Sequence, residues 1–196
     1  MRTRRSPLQA ELDALRALEE WVRERLYAVP IAGRRADATT AVAAAAAERA
    51  YELSDALPEW QNATSAVWRG HLAHVWDFLA GERTEHYELS AAIAAFLTSP
   101  LNHIEGQDGP NDFDRPQTIA SYAAVVSAVM WGVDFATTAV GQIFECLELK
   151  YDGEFNDDRT VDVGAEVGSV RKVVDRIVTA ARGAGLTPEL IADLRS

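Results

Sequence analysis

Apolar residues recur along this chain at steps of three and four from one end to the other, and no stretch of useful length alternates with period two. That periodicity predicts helices throughout. Ser6 is placed as an N-cap with Pro7 at the first helical position, and Leu8, Leu12, Leu15, Leu18, Val22 and Leu26 make one face of a helix that ends before Pro30. After the turn IAGRRAD, Asp37 can cap a second, alanine-rich helix that runs to about Leu57 and is closed by Pro58. A third covers about Asn62 to Ala80, with Val67, Trp68, Leu72, Val75, Trp76 and Leu79 as its apolar stripe and Gly81 placed to end it. A fourth spans about Glu85 to Leu97 and is followed by the irregular stretch TSPLNHIEGQDGPNDFD, whose Pro, Gly, Asn and Asp content is turn chemistry.

Helical pattern resumes at Pro116 and continues to about Lys150. A single rod of that length would measure about 50 Å. The radius of gyration of a compact domain of this size is about 16 Å, so a break is expected, and Gly132-Val133-Asp134 is the place for it, with Asp134 able to cap the second half. An acidic turn, YDGEFNDDRTVD, precedes another amphipathic helix with Val167, Val170, Val173, Val174, Ile177, Val178 and Ala181 on one face. Gly183 ends it, and Thr187 with Pro188 opens a short terminal helix. The expected architecture is all-α: one domain over residues 1–196, a bundle of about six to eight helices around a long, kinked central helix.

Composition narrows the function classes. A chain of 196 residues with 48% hydrophobic content can bury a sizeable core. Its single cysteine, Cys146, excludes an internal disulfide framework and fits a reducing compartment. The N-terminal stretch MRTRRSPLQAELDAL lacks the apolar core of a secretory signal, so a cytoplasmic location is expected. Ile119 to Phe144 is long enough to span a membrane, but Asp134 near its middle would cost roughly 2.5–3.5 kcal/mol to insert. A buried core helix, and no membrane partner, is the better reading.

The net charge of −11 argues against nucleic acid as a partner, because phosphate contacts need basic patches. Nearly all of the excess lies between Glu105 and Glu166, where thirteen acids face three bases. Two acidic segments dominate, carrying Asp108, Asp112 and Asp114 in one and Asp152, Glu154, Asp157 and Asp158 in the other. Concentrated charge of this kind speeds association with a basic protein and selects against wrong partners.

Catalytic constellations do not emerge. His71 and His74 stand three residues apart with Asp77 three further, but 100° steps put His71 in the apolar arc and Asp77 on the far side, so they do not converge on a metal. A helical metal-dependent enzyme using His71 and His74 with acids from elsewhere is the alternative function class. Asp152-x-Glu154-x-Asn156-x-Asp158 resembles the start of a calcium loop but has Asp157 where glycine is wanted and Val163 where a bidentate Glu is wanted. There is no nucleophile elbow or phosphate-binding glycine motif, and Cys146 lies in an apolar stretch where a thiol is usually inert. No cofactor, metal or catalytic residue is therefore assigned. Asp134 within apolar sequence is either a helix cap or a buried functional acid.

The stretch PNDFDRPQTIASYAAVVSAVMWGVDFATTAVGQIF, an acidic loop leading into an alanine- and valine-rich helix, resembles part of the YjaG-like family of small helical bacterial proteins, and it is similar in texture to acidic immunity proteins of polymorphic toxin systems. No site residue is carried over from that resemblance; the charge asymmetry and the missing catalytic set lead to the expectation of a non-enzymatic binding protein, an immunity-type inhibitor of a basic partner such as a nuclease toxin, with the seven acids above forming the contact. Self-association through the mixed-charge first helix is a third expectation.

Overall fold

The computed structural model describes residues 7–55, 63–81, 86–97, 114–152 and 163–195. The described residues form eight α-helices and no strand: α1 (Pro7–Tyr27), α2 (Ala32–Asp55), α3 (Ala63–Leu79), α4 (His86–Leu97), α5 (Asp114–Met130), α6 (Val133–Asp152), α7 (Val163–Arg182) and α8 (Pro188–Arg195). The all-α, single-domain expectation holds.

The middle of the bundle is α2. It packs against α5, α6, α7, α3, α8 and α1, and those neighbours close a ring around it in the order α3, α5, α6, α1, α7, α8, with α4 lying outside against α5 and α3. Alanine makes this arrangement possible. Ala38, Ala41, Ala43, Ala44, Ala46, Ala47 and Ala50 are all buried, so α2 is apolar all round over its middle turns. A Cβ is all each position presents, which lets neighbouring axes approach toward the short end of the usual 8–10 Å range.

The start of α2 differs from expectation. Instead of a turn capped by Asp37, the helix begins at Ala32, with the Arg35 N–H donating to the Ile31 carbonyl. Tertiary bonds hold this first turn: Arg34 donates to the Gly183 carbonyl at the end of α7, and both Nε and Nη2 of Arg35 donate to the Val29 carbonyl, at 3.0 and 2.9 Å. Asp37 lies within the helix with its side chain exposed, and partial desolvation pushes its carboxyl up. Val67, assigned to the α3 stripe, is instead 59% exposed, while Trp68, Leu72, Val75 and Trp76 are buried.

The expected break in the long central segment is a full reversal. Trp131 and Gly132 join α5 to α6, and the two helices pack against each other as an antiparallel hairpin. Asp134 lies inside the first turn of α6, where an acid suits the positive helix terminus. Its carboxylate is 77% exposed and accepts from Arg23 of α1 at 3.2 Å. It is thus neither the cap nor a buried acid. Gly132 is needed because a Cβ there would lie 2.9 Å from the Phe135 ring that folds back over the turn.

Trp131 has φ 60° and is 66% exposed, so it occupies the left-handed region with little packing to offset the strain. Trp131→Asn is expected to raise the unfolding free energy by about 0.5–1 kcal/mol, since Asn tolerates that conformation. Urea unfolding followed by circular dichroism measures it, and a loss of stability would show that the indole is held by contacts that outweigh the strain. At the other end of the chain α7 stops just before Gly183, as expected, and Thr187 Oγ1 accepts from the Leu190 N–H at 3.3 Å as the cap of α8; the left-handed residue is Gly185, at φ 108°.

Candidate functional site

The helix directions follow from the connections and the side-chain bonds between elements. Tyr51, late in α2, accepts through its hydroxyl from Ser121 Oγ, midway along α5, at 3.2 Å, and Arg23, late in α1 and so near the start of α2, bonds Asp134 at the start of α6. Arg49 of α2 bonds Glu166 in the first turn of α7. Together with the α5–α6 hairpin, these contacts put the end of α2, the start of α5, the end of α6 and the start of α7 at one end of the bundle. Asp114 is the first residue of α5 and Asp152 the last of α6. The two acidic segments therefore attach at neighbouring points of the same end, not at opposite ends of a rod. Asp108, Asp112, Glu154, Asp157 and Asp158 lie outside the described residues.

The histidine pair is a core-edge feature. His71 meets Trp68 edge-on, with ring centroids 5.2 Å apart, and burial together with the His74 charge lowers its pKa from the ordinary value. Asp77, the third candidate ligand, is engaged by Arg195 of α8 at 3.0 Å. Among the described residues no group of three His, Cys, Asp or Glu side chains is placed to hold a metal ion.

Cys146 is buried on α6, and burial followed by the neighbouring Glu145 charge pushes its thiol up to about 12. So little thiolate is present near neutrality that native Cys146 is expected to react with Ellman's reagent at pH 8 at least about a hundredfold more slowly than in urea. Absorbance at 412 nm follows this directly, and rapid labelling of the folded chain would overturn the burial argument.

Sequence reasoning passed over the charged wall formed by α2, α7 and α8. Arg49 donates to both carboxylate oxygens of Glu166, at 2.9 and 2.8 Å, and through its third nitrogen to Glu52 at 2.7 Å. The Glu166 side chain is only 9% exposed, and its hydrogen bonds hold the Arg49 guanidinium charged beyond the ordinary range. Immediately before Arg49 on α2 sits Glu48, half-buried, accepting from the Trp76 indole N–H at 2.9 Å. Its pKa is raised by burial, opposed by the Trp76 bond and by the nearby Arg69 and Arg195. These residues overlook a cavity of about 310 Å³. The signal available beforehand was the ERAYE run on α2, an acid and a base interrupting a face of alanines, but nothing in one sequence ties it to Glu166.

No helix among the described residues is long and apolar enough to cross a membrane. The chain matches no family model, no curated protein and no solved structure.

Proposed function

We propose that this chain is a non-enzymatic binding protein, an immunity-type inhibitor that engages a basic protein partner, such as a nuclease toxin, through its acidic end. The observation that supports the reading most is the reversal at Trp131-Gly132. By folding α5 back on α6 it brings the attachment points of the two acidic segments, Asp114 and Asp152, to one end of a rigid helical pair. Charges so gathered act on an approaching partner as one field and raise its association rate. The resemblance in texture to acidic immunity proteins points the same way, and the sign of the charge argues against nucleic acid.

The test is a tagged pull-down from the native lysate at low and at high salt, with retained proteins identified by mass. A basic protein is expected at low salt and is weakened by high salt as screening sets in. Reversing Asp112, Asp114, Asp152 and Asp158 to lysine is expected to weaken that complex by at least about a hundredfold with unchanged far-ultraviolet circular dichroism. Retention that survives the reversal would sink the proposal.

A further inference from the structure

The ring around α2 is at its thinnest between α7 and α8, where α8 supplies only two turns, and the cavity of about 310 Å³ opens there. Its lining includes the apolar Val42, Ala45, Val170, Val173 and Leu194. Four carboxylates and two guanidiniums also line it. Both guanidiniums are engaged already: Arg49 by Glu166 and Glu52, and Arg176 by Asp193. The remaining carboxylate is Glu48, which meets a neutral indole donor rather than a cationic one. Outside the groove, Arg195 is engaged by Asp77 at 3.0 Å and Arg69 lies over the Tyr51 ring, 4.6 Å from its centroid.

We propose that this groove binds an amphipathic organic cation, an ammonium group against Glu48 with an aliphatic body laid over Val42, Ala45, Val170 and Val173. The alternatives are disfavoured one by one. An anion would meet a lining where carboxylates outnumber bases and both guanidiniums are already bonded. A neutral apolar molecule would strip water from the Glu48 carboxylate and give it nothing back, which is costly for a charged group. An ammonium supplies a cationic donor to a carboxylate whose hydrogen bond now comes from a neutral one. The volume sits at the lower end of ligand pockets and holds roughly ten non-hydrogen atoms. Burial that pushes the Glu48 carboxyl up is consistent with a group that gains from a cationic partner. The inference does not depend on the acidic end of the bundle.

Isothermal titration of the full chain with n-octylammonium, octanoate and 1-octanol separates these cases, because the three share one tail and differ in head group. Octylammonium is expected to bind one to one with a Kd on the order of 0.1 mM, and the other two at least about tenfold more weakly. Glu48→Gln is expected to weaken octylammonium by at least about fivefold. Val173→Trp, which fills the groove, is expected to abolish the site, with Ala45→Phe as the substitute should that variant not fold. Equal binding of the three probes would overturn the proposal. So would octylammonium binding that is undiminished in the filled variant, since it would then reflect the general negative charge of the chain. Absence of octylammonium binding to the natural chain would overturn it as well.

Discussion

Trp76→Ala is expected to lower the unfolding free energy by about 3–5 kcal/mol, the largest single loss available in this core. Trp76 is fully buried between α3 and α2, so truncation leaves a cavity that the surrounding helices fill only in part. It also removes the N–H that the half-buried Glu48 carboxylate accepts at 2.9 Å. For a chain of this length each kcal/mol moves Tm by roughly 2–4 °C, so a fall of roughly 10–15 °C is anticipated by calorimetry. Trp76→Phe divides the two contributions, because it keeps most of the ring but not the donor. A variant with Phe as unstable as the one with Ala would assign the effect to the hydrogen bond, and one as stable as the natural chain would assign it to packing.

Arg49→Met is expected to cost about 3 kcal/mol, for a different reason. The hydrophobic stem is retained, but Glu166 loses both of the bonds that satisfy its nearly buried carboxylate. Taking an ion pair out of the interior completely is far cheaper than taking out one half, so Arg49→Met with Glu166→Leu is expected to recover most of the loss. A double-mutant cycle in urea measures the coupling directly. Additive losses would mean that the two side chains stabilise the helices independently, and that the bidentate geometry contributes little.

The helices were readable in the sequence to the extent that local chemistry determines them. Thr187 with Pro188 at the start of α8 is a signal contained within a few residues, and it appears in the structure where those residues put it, whereas Ser6, the expected cap of α1, lies outside the described residues. The start of α2 was misread because its stability is not local. Ala32–Ala36 is held helical by the Arg35 bonds to Val29 in the α1–α2 turn and by the Arg34 bond to the Gly183 carbonyl just beyond α7, and no window of sequence contains both partners of the second. Val67 shows the converse error: periodicity assigned it a face, but the neighbouring helices cover Trp68, Leu72, Val75, Trp76 and in part Leu79 while leaving Val67 exposed. At Gly132 the length argument required a break, yet whether the chain bends or turns back depends on what α6 packs against. The candidate sites divide along the same line. The accumulation of acids is a property of composition and was visible at once, whereas the Arg49–Glu166 contact joins residues on α2 and α7 and exists only in the folded chain.

The encirclement of α2 also bears on how the molecule is assembled. A helix whose middle turns present little but methyl groups has no side-chain bulk of its own to bury, and most helical stability in a folded protein comes from tertiary packing. Its main partners, α5 and α6, come from far along the chain. The contacts that stabilise α2 thus become available only after long loops are closed, which slows folding relative to bundles of sequential neighbours. Neither the α1–α2 pair nor the α5–α6 hairpin contains a core that the other does not complete. The molecule is one cooperative unit, and injury to its hub is felt in every helix of the ring.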